Sequence, residues 1–194
     1  DKTASILTEN KSPDLAFRWS VNPYRGCSHA CAYCYARPSH EYIGLGAGVD
    51  FDSRIFVKEK AAALLREAFR KPSWTGERVV FSGVTDPYQP LEASYNLTRQ
   101  CLEVCIAARN PVSIITKGVL VERDVDLLSE LVKVASARVF VSIPFFNGDL
   151  ARRIEPRVPS PQRRFKMIRA LTAAGIPVGV SLAPIMPGLN DMEI

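Results

Sequence analysis

No stretch of the 194 residues reaches the roughly 18 consecutive apolar positions that a membrane-crossing helix requires. No membrane-crossing helix is therefore expected within these residues. No basic segment followed by a short apolar one opens the chain, so no secretory signal is expected. Cysteines number five, an odd count, and a chain this long can bury its own core without staples. A disulfide framework is therefore not expected, and unpaired thiols indicate a reducing interior, hence the cytoplasm. Basic residues exceed acidic ones by five, but no dense basic run collects them. The charge permits an acidic partner or a nucleic acid without demanding either. No repeat of solenoid period is present. The glycines at 44, 46 and 48 are spaced G-x-G-x-G, with no strand directly before and no helix directly after. They are not a phosphate-binding fingerprint, and residues 36–54 read as a long covering loop.

What is present is ordinary in bulk: 47% hydrophobic and 23% charged residues in one domain's length of chain. The exception is Cys27-Ser28-His29-Ala30-Cys31-Ala32-Tyr33-Cys34, three thiols in eight residues at spacing C-x3-C-x2-C. Gly26 and Pro38 flank it and make it a loop. Thiolates converging from one loop suit a soft metal centre. Two centres fit. A 4Fe–4S cluster is ordinarily held by four cysteines, so three would leave one iron open. A structural zinc ion wants four ligands, and His29 or His40 could complete a Cys3His set, with Cys101 a further candidate.

Along the chain, residues 1–17 are polar and aperiodic and read as an N-terminal arm, with the core over 18–194. Strands are expected at 17–21, 78–82, 112–116, 138–143 and 177–183, from short β-branched and aromatic runs. Helices are expected at 57–70, 96–108 and 124–134, from apolar residues three and four apart. A further helix starts at Ser160 as N-cap with Pro161 behind it, carries Phe165, Ile168 and Leu171, and ends at Gly175. Cys101 and Cys105 share the apolar stripe of their helix and read as core. Strand and helix alternate, which predicts right-handed βαβ units and a parallel sheet. In such folds sites form beyond the carboxyl ends of the strands. There lie the cysteine loop, Thr85 and Asp86, Lys117, and Ser142.

Cys27, Cys31 and Cys34, in C-x3-C-x-aromatic-C, resemble the signature of radical S-adenosylmethionine (radical SAM) enzymes. The resemblance implies a partial (β/α)6 barrel and a 4Fe–4S cluster on those three cysteines. It also implies S-adenosyl-L-methionine on the open iron, cleaved by one electron to a 5′-deoxyadenosyl radical that takes hydrogen from a substrate. A flavodoxin- or ferredoxin-like reductant is implied as electron source. Tyr33 is expected near the adenine. Within the superfamily the chain is most similar to the branch of spore photoproduct lyase, through Asn22-Pro23-Tyr24-Arg25-Gly26-Cys27, Thr85-Asp86, Thr116-Lys117, Ser142-Ile143, Glu155-Pro156 with Ser160, and Ala183-Pro184-Ile185. On that likeness Lys117 and Ser142 bind the methionyl carboxylate, and Thr85 and Asp86 approach the amino group. Arg157 is a further candidate for the site. The catalytic hydrogen donor is not identified: where the lyase carries a cysteine, three residues before the aspartate, this chain has Gly83. Asp at position 1 and a pattern that continues at Ile194 lead us to expect a piece of a longer protein, with a sixth barrel strand beyond it.

Overall fold

The computed structural model describes residues 3–193. Its strands, in chain order, are β1 (Leu7–Glu9), β2 (Trp19–Val21), β3 (Tyr24–Arg25), β4 (Phe56–Val57), β5 (Val79–Phe81), β6 (Val112–Thr116), β7 (Ala137–Ser142) and β8 (Val178–Ser181). The α-helices are α1 (Val49–Ser53), α2 (Ala61–Arg70), α3 (Glu92–Tyr95), α4 (Leu97–Ala107), α5 (Val125–Val134), α6 (Gly148–Ile154) and α7 (Pro161–Ala173). Six strands form one sheet in the order β1-β2-β5-β6-β7-β8. From β2 to β8 every pairing is parallel; β1 alone is antiparallel, on the outer edge of β2. This is the α/β architecture of a partial barrel, and the five expected parallel strands are all in it.

The sheet is parallel because each strand is followed by a helix that returns the chain, and helices bury its face. Val79, Phe81, Val112, Ile114, Val139 and Val141 are fully buried in one continuous core. Against them pack Leu65 of α2, Cys101, Leu102 and Cys105 of α4, Leu128 and Leu131 of α5, and Met167 and Leu171 of α7. Because β2, β5, β6 and β7 run the same way, Asn22, Ser82, Lys117 and Ile143 all follow strand ends on one rim.

Three expectations are corrected. Part of the supposed arm is β1, whose Leu7, Thr8 and Glu9 pair with Val21, Ser20 and Trp19. Residues 36–54 are not loop throughout: a 3-10 helix spans Arg37–Ile43 and α1 follows it. Both are too short to hold alone, and buried His40 and Phe51 pin them. The helix expected from Val57 starts at Ala61, because Val57 pairs with Tyr24 in the β3–β4 ribbon. On α7, Phe165 is 38% exposed and stacks on Phe146. The inward stripe of α7 is Pro161, Arg164, Met167 and Leu171 instead. Helix α6, capped by Asn147, which accepts the N–H groups of Asp149 and Leu150, is an addition the sequence pattern did not reveal.

Candidate metal centre

The cysteine loop is held from several sides. Ahead of it, the buried Tyr24 hydroxyl donates to fully buried Glu92, which Arg123 also grips at 2.8 Å. Gly26 has φ 86°, and a Cβ there would lie 2.7 Å from the Phe51 carbonyl oxygen. Only glycine satisfies both demands. Gln89, fully buried, clamps the turn around Cys27: its amide donates to the Gly26 carbonyl (3.1 Å) and to Thr85 Oγ1 (2.9 Å), and its oxygen accepts from Ser28 N–H (2.9 Å). Thr85 Oγ1 donates to the same Gly26 carbonyl at 2.6 Å. Cys27 and Cys31 are each 8% exposed, and Cys34, half-buried, packs on Cys27, Ala36 and Phe51.

Asp86 is a hub of the rim. It accepts from Tyr88 N–H (2.9 Å), Thr116 Oγ1 (2.6 Å) and Lys117 N–H (2.8 Å), and faces His29 Nδ1 at 3.3 Å. Burial pushes the Asp86 carboxyl up, but the His29 charge and these donors outweigh it and hold it at about 2. Burial likewise pushes His29 down, and the Asp86 carboxylate more than reverses this, raising it to about 10. An unfolded aspartate titrates near ~3.9. The stability that ionised Asp86 contributes is therefore present above about pH 4 and lost as pH falls towards 2. Because Asp86→Asn also removes the charge that keeps buried His29 protonated, we expect the gap in unfolding free energy between wild type and Asp86→Asn to widen as pH falls from about 7 to 5 and to shrink below about pH 4. Urea titrations over that range check it; a gap unchanged near pH 2.5 would contradict the assignment.

On the far side, Tyr33 Oη donates to Glu155, and the Ala32 N–H donates to the Ile154 carbonyl at 3.0 Å. Glu155 pairs with Arg164 at 2.6 Å, both about 1% exposed. Arg164 in turn donates to the Ser142 carbonyl at 2.6 Å. Ser142 is buried at the end of β7. The Lys117 ammonium sits 5.6 Å over the Tyr33 ring. Burial pushes the Cys31 thiol up to about 12, Lys117 pulls it down, and Glu155, Cys27 and Cys34 push it up. The three sulfurs and Lys117 thus share one electrostatic neighbourhood.

The structure brings together Cys27, Cys31, Cys34, Tyr33 and Lys117, with Ser142 linked through Arg164. Thr85 and Asp86 are on the same rim, but their hydrogen bonds go to Gly26, Tyr88, Thr116 and Lys117. Both histidines are engaged in hydrogen bonds. His29 faces Asp86 with Nδ1 at 3.3 Å and also bonds the Cys27 side chain, and His40 Nε2 meets the Arg54 carbonyl at 3.0 Å. Cys101 and Cys105 are in the main core, apart from the cysteine loop. Among the described residues no three His, Cys, Asp or Glu side chains are grouped to hold one metal ion. Three thiols of one loop, with both histidines hydrogen-bonded, leave a tetrahedral zinc site one ligand short and are the set that a cube with one open iron takes. The donor set fits a cluster.

Sequence reasoning missed Gln89, Arg164 and the buried pair Glu92 and Asp124 with half-buried Arg123 between them. Gln89 stands in a Pro-rich loop and Arg164 in a run of arginines, where solvated side chains are the ordinary expectation. Two clefts flank residues 155–159. The first, about 440 Å³, is lined by Tyr88, Gly118, Leu120, Arg157 and Val158 among others. The second, about 290 Å³, lies beside Arg152, Gln162 and Arg164.

Residues 21–194 match the family model of the Radical SAM superfamily. The chain belongs to the radical SAM superfamily. This radical SAM protein is 44% identical over 185 residues to an uncharacterized protein of Mycobacterium tuberculosis, covering 94% of this chain and 54% of that one. It is 35% identical over 176 residues to an uncharacterized protein of Methanocaldococcus jannaschii, covering 91% and 63% respectively. The chain thus spans little more than half the length of the curated relatives it matches. Among solved structures, spore photoproduct lyase complexed with dinucleoside spore photoproduct superposes with a TM-score of 0.65 at 19% identity, over 93% of this chain and 49% of the lyase. That likeness is one of fold. The radical SAM fold places the cysteine loop, Lys117 and Ser142 on a common rim here, and Gly83 occupies its own rim position at φ 124°.

Proposed function

We propose that this chain is the catalytic core of a radical SAM enzyme, with Cys27, Cys31 and Cys34 holding a 4Fe–4S cluster that binds S-adenosyl-L-methionine. When bound, such a cluster supplies the one electron that cleaves the sulfonium and releases a 5′-deoxyadenosyl radical. The observation that carries the reading is the shared neighbourhood of three thiols and the Lys117 ammonium beyond the ends of parallel strands. Lys117 gives a charge-assisted bond to the methionyl carboxylate, worth about 1.5–3 kcal/mol, and Ser142 adds a second donor. Tyr33, fixed through Glu155, walls the adenine side. Thr85 holds the loop at Gly26, and Asp86, paired with His29, fixes the rim on the side where the methionyl amino group would approach. The substrate enters the cleft lined by Tyr88, Gly118 and Arg157. The enzyme works in a reducing compartment, the cytoplasm.

A lyase-like action on nucleic acid rests on the branch likeness and the mildly basic net charge of +5. Gly83 speaks against the lyase's thiol route: at φ 124° an L side chain is strained even though the nearest atom to a Cβ is 3.6 Å away. Anaerobic reconstitution tests the main reading. It should give a brown protein with about four irons per chain, releasing 5′-deoxyadenosine on reduction with dithionite. A colourless protein with one zinc per chain would overturn it.

A further inference from the structure

The net charge of the chain is unevenly placed. Residues 148–175, helices α6 and α7 with their link, hold seven lysines and arginines against two carboxylates, which equals the whole chain's excess of +5. The second cleft, of about 290 Å³, lies within this segment, between Arg152 of α6 and the start of α7 at Ser160, Gln162 and Arg164. Helix α7 has 13 residues and no acidic residue in its first turn. Its Ser160 hydroxyl caps the Arg163 N–H, but the Gln162 N–H has no acceptor among the described residues. Arg164 is fully buried, and its terminal nitrogens are engaged by Glu155 and the Ser142 carbonyl. Its Nε–H is buried with no acceptor among the described residues. A buried donor left unmade costs free energy, more so on a charged group. Arg152 is exposed, and its carboxylate contact among the described residues is the exposed Asp149, 3.6 Å away, a pairing of little energy.

We infer that this cleft is a binding site for a phosphate group, held by the N-terminus of α7, Arg164 Nε and Arg152. Helix N-termini favour anions through their free N–H groups and their dipole. Here the donors come singly, from the α7 backbone, from a buried guanidinium and from a side chain of α6, which suits a tetrahedral anion. A carboxylate prefers the paired fork of an arginine, and the fork of Arg164 is already half taken by Glu155. One water's share of the liquid is about 30 Å³, so a cleft of about 290 Å³ has room for more than a trapped water. The site lies across residues 155–159 from the cleft assigned to the substrate and needs no metal cluster. Arg164 also pairs with Glu155, which holds Tyr33, so the bound group adjoins the support of the cysteine loop. Such a group is carried by a phosphorylated small molecule or by a nucleic-acid backbone.

The test uses inorganic phosphate as probe on the whole chain, against chloride at equal ionic strength. Equilibrium dialysis should show saturable phosphate binding, and phosphate should raise Tm. Gln162→Glu puts a carboxylate into the first turn of α7, where the helix dipole favours it. That variant should melt no lower than wild type in chloride, yet bind phosphate about tenfold or more weakly. Arg152→Gln should weaken binding about threefold or more. Arg153→Gln, the same charge change on an exposed neighbour outside the cleft lining, should stay within about twofold of wild type. AMP and a duplex DNA oligonucleotide, matched in phosphate, then compete with the probe. Displacement by AMP alone assigns a phosphorylated small molecule, displacement by the duplex a nucleic-acid backbone, and displacement by neither inorganic phosphate itself. No saturable phosphate binding, binding undiminished in Gln162→Glu, or no greater loss in Arg152→Gln than in Arg153→Gln would each overturn the proposal. Failure of the cluster reading shows separately, since none of these measurements requires iron.

Discussion

Replacing Cys31 by alanine is expected to empty the metal centre while leaving the fold in place. Iron after anaerobic reconstitution should fall from about four per chain to well below one. The brown colour and the release of 5′-deoxyadenosine should go with it. The fold should survive because the cysteine loop is not part of the main core. That core is built from β5, β6 and β7 with α2, α4, α5 and α7 against them, whereas Cys27 belongs to a separate small cluster with Ala36 and Phe51. Gln89, Thr85, Asp86 and Glu155 hold the loop without any metal. A local loss of about 1–2 kcal/mol corresponds to a few degrees in Tm for a domain of this size. Circular dichroism and iron analysis on one preparation check both halves. A zinc-stabilised module would behave in the opposite way, since its folding free energy is largely its metal-binding free energy. Global unfolding of Cys31→Ala together with zinc in the wild type would establish that alternative.

The second large effect is expected at Glu155. Removing its carboxylate by Glu155→Ala leaves Arg164 charged, about 1% exposed and without a counter-ion. Breaking one side of such a pair costs about 3–5 kcal/mol, which is on the order of 10 °C in Tm. The Tyr33 hydroxyl loses its acceptor in the same step, so the loop should also retain iron less well. The double variant Glu155→Gln/Arg164→Met should recover much of the stability, because no buried charge is left uncompensated. It should not recover the position of Tyr33 in full. Thermal melts of the single and double variants separate the two effects; equal melting of Glu155→Ala and wild type would show that the pair does not support this corner.

Glu155 shows why part of the site was readable and part was not. The residue was singled out with Pro156 and Ser160 from a likeness of short motifs, but its role depends on two partners, Tyr33 and Arg164, of which Tyr33 is 122 positions away. Arg164 illustrates the limit more sharply. In Gln162-Arg163-Arg164-Phe165 the phenylalanine is the expected inward residue and the arginines the wet ones. The fold reverses this: Arg164 is fully buried, and Phe165 lies over Phe146 at the surface. A helix turned slightly about its axis trades one stripe for the next, and Arg164 goes in with Pro161, Met167 and Leu171 because Glu155 and the Ser142 carbonyl meet its guanidinium there.

Local pattern was enough for the five parallel strands, three of the major helices to within a few residues, the core placement of Cys101 and Cys105, and the three-thiol loop. Each of these rests on spacing within one segment, through hydrophobic period, turn residues or ligand separation. The arrangement around the thiols rests on contacts between segments. Ser28 meets Gln89 across 61 positions, and Asp86 meets the Lys117 N–H across 31. Such contacts come into being when the register of β2, β5 and β6 sets their ends side by side. A one-dimensional pattern carries which residues a segment will bury. Which polar groups meet, and where the excess charge gathers, follows from how the strands line up, since hydrogen bonds and ion pairs act over a few ångströms and are blind to separation along the chain.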